Sequence, residues 1–106
     1  MAKVDVAPEA DADIAAIFEY LLGVAGLETA EKLVEELDTA ILSLANLSER
    51  GKYPPELLAE GITLFRELQC PPWRIFYRIV DGDVWVVAVL DGRRNIAQLL
   101  PERLAR

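Results

Sequence analysis

The spacing of hydrophobic residues changes once along this chain of 106 residues, near Gly61, and this change limits the folds open to it. Before Gly61, apolar residues recur every three or four positions, which is the period of a helix with one buried face. After Gly61, three short runs rich in aromatic and β-branched residues are typical of strands. A chain of this length builds one hydrophobic core, so we predict a single domain spanning residues 1–106.

The first half predicts a short strand followed by two helices. Residues 3–6 alternate as a strand does, and Pro8 suits the first turn of a helix. Gly26 ends that helix and Thr29 is suited to cap the next one, so a short link joins them as an antiparallel hairpin. The apolar stripes of the two helices are Ile14, Ile17, Phe18, Leu21, Leu22 and Ala25, then Leu33, Val34, Leu37, Ala40, Ile41 and Leu44.

The second half predicts three strands, with the sequences TLFRELQ, WRIFYRIV and VWVVAVL. The dipeptide Asp81-Gly82 between the last two favours a two-residue hairpin turn. Pairing built on this turn places Arg78 opposite Trp85, where a local cation–π contact is expected, and Arg74 opposite Val89. The same register puts Trp73, Ile75, Tyr77, Ile79, Val84, Val86, Ala88 and Leu90 on the face toward the helices, and Arg74, Phe76, Arg78, Val80, Trp85, Val87 and Val89 on the other face.

A short helix is predicted at the end of the chain. Asn95 is suited to cap it, and Pro101 is expected to kink or split it. The complete order is β-α-α-β-β-β(-α), so the fold class is α+β, with the helix hairpin packed on a small antiparallel sheet.

Composition excludes several kinds of catalytic site. The chain has no histidine, which removes Ser-His-Asp and Cys-His chemistry, most zinc sites and the commonest general base. Its single cysteine, Cys70, cannot form an internal disulfide and suits a reducing compartment. No apolar run is long enough to cross a bilayer. We therefore expect a cytoplasmic protein with no membrane association, no cofactor and no metal ion.

Charge is distributed unevenly between the two halves. Residues 1–60 hold four basic and thirteen acidic residues, whereas residues 61–106 hold seven arginines, no lysine and five acidic residues. An acidic body resists phosphate backbones, so no direct nucleic-acid binding is expected. The planar forks of the arginines suit a carboxylate-bearing partner. The charge pattern therefore favours binding to another protein.

This order of elements and several segments resemble the RelE/ParE toxin superfamily. The segments are APEADADIAAIFEYL for the first helix, GKYPPELLAEGITLFREL for the loop into the second strand, and PPWRIFYRIVDGDVWVVAVLDGRRN for the hairpin. The resemblance implies the toxin of a bacterial type II toxin–antitoxin pair, held inactive by a cognate antitoxin, expected to be of the ribbon-helix-helix type. RelE-like members cut messenger RNA on the ribosome, whereas ParE-like members inhibit DNA gyrase.

The resemblance to the nuclease branch is incomplete at the residues that carry chemistry. Arg74 and Arg94 match two of its arginines, and Glu67 is the one conceivable general base, for which a salt bridge to Arg66 or Arg74 is the simpler explanation. The lysines of its second strand are replaced here by Phe65 and Glu67, and its late tyrosine falls at or near Leu100. Arginine cannot act as a base at neutral pH. We therefore favour the ParE-like branch with no catalytic residues; a RelE-like endoribonuclease using Arg74, Arg94 and Glu67, and a non-toxic interaction module, remain alternatives.

Two surfaces are predicted from this interpretation. Arg74, Arg93 and Arg94 are the expected target-binding residues, although Arg93 and Arg94 could equally pair with Asp91. The antitoxin is expected to lie on the helix hairpin, in a groove that so small a domain leaves uncovered. The residues expected to contact it there are Ile14, Phe18, Leu21, Leu37 and Ile41.

Overall fold

A computed structural model describes residues 1–104 as four strands and four helices. In chain order they are β1 (Val4–Val6), α1 (Pro8–Ala25), α2 (Leu27–Leu42), α3 (Pro55–Leu58), β2 (Phe65–Cys70), β3 (Trp73–Val80), β4 (Asp83–Asp91) and α4 (Ile96–Leu104), with a 3-10 turn at Ser43–Ala45. The α+β class and the predicted order are confirmed. Two short elements were not predicted, the 3-10 turn and α3, a single turn that begins at Pro55, a residue suited to the first position of a helix.

The helix hairpin is closed by one residue. Gly26 adopts a φ of +94°, and its N–H donates to the carbonyl of Leu21 at 3.1 Å. Because glycine tolerates this backbone conformation, α2 begins directly at Leu27. The predicted cap at Thr29 is therefore wrong, since Thr29 lies inside the first turn. Pro8 occupies the first turn of α1, as predicted.

The sheet is mixed, with the order β1-β4-β3-β2. Strands β2, β3 and β4 form the predicted antiparallel meander. β1, however, pairs in parallel with β4, so that Val4 lies beside Val84 and Val6 beside Val86. The expectation of a wholly antiparallel sheet is wrong at this edge. The alternation of apolar and polar residues predicts that a segment forms a strand, but it does not predict which strand pairs with it or in which direction.

The β3–β4 hairpin starts in the predicted register and then departs from it. Asp81 and Gly82 both have positive φ, +52° and +84°, as a type I′ turn requires. Arg78 pairs with Trp85 as expected, but a bulge between Phe76 and Tyr77 shifts every later pair by one residue.

The bulge exchanges the faces of three residues in β4. Val89 joins the core beneath the helix hairpin, whereas Ala88 and Leu90 join the opposite face. Arg74 consequently pairs with Leu90 and not with Val89. The face assignment predicted for these three residues is wrong, because one inserted residue inverts the alternation beyond it.

Two hydrophobic cores lie on the two faces of the sheet, where a single core was predicted. The larger core is buried between the helix hairpin and the sheet, and it includes Leu37, Ile75, Tyr77 and Val86. The smaller core lies beneath α3 and α4 and includes Leu57, Phe65, Phe76, Ala88, Leu90, Ile96 and Leu100. The single-turn α3 and the C-terminal helix thus cover the face that a bare meander would expose.

The C-terminal helix begins as predicted and continues past its proline. Asn95 Oδ1 accepts a hydrogen bond of 3.3 Å from the N–H of Gln98, which confirms the cap. α4 runs through Pro101 as one helix, so the predicted split does not occur; the fully buried Leu100 anchors it at this point. The last two residues of the predicted helix lie outside the described residues. Among residues 1–104, no helix combines the length and the apolar character needed to span a membrane.

Candidate functional site

Arg74 is enclosed by two carboxylates. Its Nε donates to Glu67 Oε1 at 3.1 Å and its Nη2 donates to Glu67 Oε2, while Nη1 and Nη2 donate to the two oxygens of Glu56 at 2.8 Å each. The side chain of Glu67 is fully buried, and that of Arg74 is 12% exposed. The predicted salt bridge between Glu67 and Arg74 is confirmed, and the sequence analysis missed its third member, Glu56.

Glu56, Glu67 and Arg74 form a triad, and its two carboxylates leave Arg74 little capacity to bind another anion. The bidentate hydrogen bond from Arg74 holds the pKa of Glu56 below its ordinary value, and the two carboxylates raise the pKa of Arg74 further. The assignment of Arg74 as a target-binding residue is therefore corrected: it is an internal ion-pair residue. The pairing with Glu56 was not predicted because α3, the helical turn that carries Glu56, was not predicted.

Tyr77 lies on the opposite face of the sheet, as the alternation of β3 predicts. It is fully buried in the larger core. Its hydroxyl donates to the carbonyl of Ser48 at 2.7 Å and accepts from the N–H of Gly51 at 3.0 Å. Burial raises the pKa of this phenol. Tyr77 therefore secures the loop after α2 and is not available for proton transfer beside Arg74.

A groove with three arginines lies between α1, the end of β4 and α4. We call it the arginine groove; its volume is about 480 Å³, and its lining includes Asp13, Tyr20, Trp73, Asp91, Arg93, Arg94 and Arg103. Arg103 forms a fork on Asp13, at 2.6 and 2.8 Å, and Asp13 also accepts the backbone N–H of Val89. This pair fixes the end of α4 against α1 and β4.

Arg93 and Arg94 differ within this groove. Arg93 pairs with Asp91 through Nε at 3.0 Å and Nη2 at 2.8 Å, and this pairing lowers the pKa of Asp91. The guanidinium of Arg94 has no hydrogen-bond partner among residues 1–104, and its side chain is exposed. Arg93 and Arg94 therefore share one surface, which neither Arg74 nor Glu67 lines.

The residues predicted to bind the antitoxin fall into two groups. Leu37 and Ile41 are 0% and 4% exposed in the larger core, so their assignment is corrected to structural. The apolar stripe of α2 is buried against the sheet. Ile14, Phe18 and Leu21 on α1 remain partly exposed. Exposed apolar side chains that the analysis did not assign lie near the tip of the hairpin: Tyr20, Leu22, Val24 and Leu27.

Arg78 has an environment that sequence reasoning did not foresee. It pairs with Trp85 across the hairpin, yet its guanidinium lies over the ring of Phe65, 5.7 Å from the centroid. The cation–π contact expected with Trp85 is thus made with Phe65 on the neighbouring strand. The Nε of Arg78 is buried and has no hydrogen-bond partner within residues 1–104. Those residues also contain no cluster of three or more His, Cys, Asp or Glu side chains able to hold a metal ion.

Comparisons with known proteins agree with this architecture. The family model described as ParE toxin of type II toxin-antitoxin system, parDE, matches residues 4–96. Among solved structures, a chain of the chromosomal ParDE TA system from P. aeruginosa is similar over 84% of this chain and 94% of that one, with a TM-score of 0.69 and 20% sequence identity. At this identity the structural similarity shows the fold alone. No curated protein matches the chain.

Proposed function

Because the chain belongs to the ParE toxin family of type II toxin–antitoxin systems, we propose that it arrests growth by inhibiting DNA gyrase and that a cognate antitoxin neutralises it. This membership confirms the ParE-like branch expected from the sequence. The observation that carries the proposal is the state of Arg74, whose guanidinium is occupied by Glu56 and Glu67.

A messenger-RNA nuclease needs groups that move protons and a cation that meets the phosphate. Glu67 is buried and paired, which suits it poorly as a general base, and Leu100 is fully buried at the position near which the nuclease branch has its tyrosine. Arg94 lines the arginine groove without Arg74 or Glu67. These features favour inhibition by binding over cleavage.

The arginine groove is the surface that we propose for contact with the target. Arg94 offers a guanidinium without a partner among residues 1–104, and Arg93 lies exposed beside it. Tyr20, which is 58% exposed, adds an aromatic side chain to the same groove. Tyrosine and arginine are typical of the residues that dominate protein–protein interfaces. An acidic loop of gyrase fits these features.

The antitoxin is proposed to cover α1 of the helix hairpin. Ile14, Phe18 and Leu21 present a partly exposed apolar stripe there, and the hairpin is rich in acidic residues. A segment with leucines flanked by basic residues complements such a surface. A ribbon-helix-helix protein is the antitoxin class that we expect to supply it.

One experiment separates the three functions under consideration. The purified toxin is added to gyrase supercoiling and DNA-cleavage assays, and in parallel to ribosomes programmed with a messenger RNA. We expect blocked supercoiling or trapped cleaved DNA, with the message intact. Codon-specific cuts in the message with unaffected gyrase would establish the nuclease instead. Absence of both effects, with no growth arrest on induction, would identify a non-toxic interaction module.

A further inference from the structure

Arg78 stands in a row of side chains that crosses all four strands. The register places Phe65 of β2 beside Arg78, Arg78 beside Trp85 of β4, and Trp85 beside Asp5 of β1. Side chains directly opposite each other on neighbouring strands share one face of the sheet. One cation therefore lies between two aromatic rings, with Phe65 buried and Trp85 39% exposed.

The guanidinium of Arg78 differs from the other arginines that lie near acidic groups. Arg74, Arg93 and Arg103 each form a fork with a carboxylate. Within residues 1–104 the side chain of Arg78 makes no hydrogen bond, and its Nε is enclosed. An enclosed donor without an acceptor is costly, and such groups in folded proteins are normally satisfied by some partner.

Open space lies on both sides of this arginine. One hollow of about 190 Å³ is lined by Arg78, Trp85, Val87 and Leu104, together with the charged residues Glu9 and Arg103. A second hollow of about 400 Å³, toward the β3–β4 turn, is lined by Arg78, Trp85 and Val80, together with Asp5 and Asp83. Arg78 and Trp85 separate the two hollows, so an extended segment lying over them would contact both residues.

We propose that Arg78 and Trp85 form a binding site for a carboxylate side chain carried on an apolar segment of the antitoxin. The carboxylate accepts hydrogen bonds from the guanidinium of Arg78 where it lines the hollows, and the apolar neighbours cover Trp85, Val80 and Val87. This inference rests on the proposed antitoxin partner and adds a second contact, on the face of the sheet opposite the helix hairpin.

The charges around the site favour a segment with a single carboxylate over a polyanion. Asp5, Glu9 and Asp83 line the hollows, and the second cation there, Arg103, is paired with Asp13, so a run of phosphates is disfavoured. A segment with one carboxylate for Arg78 and basic residues on either side for these acids fits the charges better. The complementary segment is therefore apolar, with one central acid and flanking bases.

The site is tested first with phenylacetate, and with uncharged phenylacetamide as the matched ligand. In ¹H–¹⁵N spectra, phenylacetate is expected to shift the Nε–H of Arg78 and the indole N–H of Trp85 together, with a Kd on the order of 1 mM. Phenylacetamide should shift neither. Arg78→Gln should abolish the effect, and Arg50→Gln, which makes the same charge change far from the site, should preserve it. Equal shifts with both ligands, or larger shifts with inorganic phosphate, would overturn the proposal.

The occupant is tested with the antitoxin that restores growth when it is co-expressed with the toxin. Arg78→Gln, which removes the cation, should weaken its affinity at least about tenfold. Arg78→Lys should weaken it as well, because an ammonium lacks the planar fork of a guanidinium. Unchanged affinity in both variants would overturn the assignment. Gyrase inhibition by the free toxin is measured separately with the same variants, so failure of the proposed function is distinguishable from failure of this site.

Discussion

Both carboxylate oxygens of Glu56 accept hydrogen bonds of 2.8 Å from Arg74, and this pair joins the single-turn α3 to the interior strand β3. Glu67 on β2 completes the arrangement from the other side of Arg74. Three successive elements, α3, β2 and β3, are thus connected through one guanidinium. The same contact buries most of Arg74, one of the three arginines that the sequence predicted to bind the target.

Replacing Glu56 by glutamine should make stability less sensitive to acid. The pKa of Glu56 is lower in the folded protein than in the unfolded chain, so the unfolded chain binds the proton first as the pH falls. The stabilisation is present above the pKa of the unfolded carboxyl and is lost as the pH falls through the lower, folded pKa. Urea unfolding midpoints measured from about pH 6 to about pH 3 should fall less in Glu56→Gln. Parallel curves for the two proteins would contradict this.

Removing Arg74, the cation of the triad, should lower stability far more than removing an exposed arginine elsewhere in the chain. Arg74→Ala leaves the buried carboxylate of Glu67 unpaired, which should cost ~3–5 kcal/mol in the free energy of unfolding. Arg93→Ala serves as the matched control and should leave the urea midpoint unchanged, because Arg93 is exposed to solvent. Equal effects of the two substitutions would show that the triad is not a structural contact.

The double substitution Arg93→Ala with Arg94→Ala should abolish growth arrest. It removes both exposed forks from the arginine groove, and the remaining Arg103 is held by Asp13. Folding and antitoxin binding should survive, since the proposed antitoxin surfaces lie elsewhere. The control with the same change in charge is Lys32→Ala with Arg50→Ala, which should stay toxic. A folded Arg93/Arg94 variant that still arrests growth would rule the groove out as the target surface.

Two glycine-to-alanine substitutions should act in opposite directions. A Cβ at Gly51 would lie 2.6 Å from the hydroxyl oxygen of Tyr77 and 2.7 Å from the carbonyl oxygen of Glu67, so Gly51→Ala should destabilise by about 1–3 kcal/mol. Gly23 is exposed inside α1 with nothing within 4 Å, so Gly23→Ala should stabilise by about 0.5–1 kcal/mol. Thermal and urea unfolding measure both; a stabilised Gly51→Ala would refute the close packing around Tyr77.

Hydrogen exchange should locate the antitoxin on the helices. Binding is expected to slow exchange in residues 10–45, where the partly exposed stripe of α1 lies. The amide of the buried Leu37 reports on the core, and those around Phe18 report on the surface. Protection confined to residues 91–106 would contradict the proposed location.

The sequence by itself determined the features that depend on neighbouring residues. The change in period at Gly61 separated the helices from the strands, because the repeat of an amphipathic element is a local property. Asp81-Gly82 defined the hairpin turn, and Asn95 the start of α4, since each acts within two or three residues of its own position. The order and number of the main elements followed from such signals, as did the separation of Tyr77 from Arg74.

Tertiary structure decided what depends on residues far apart. The bulge opposite Phe76 reversed the faces of Ala88, Val89 and Leu90, and alternation gives no sign of an inserted residue. The packing of α2 buried Leu37 and Ile41, which a helical stripe alone cannot distinguish from an open surface. Within the described part of the chain, arginines that are chemically identical in the sequence became a buried ion-pair residue (Arg74), a surface cation paired with a carboxylate (Arg93) or a surface cation without such a partner (Arg94). The outcome depended on which carboxylates the fold brought within about 3 Å, since charge-assisted hydrogen bonds act only over such distances.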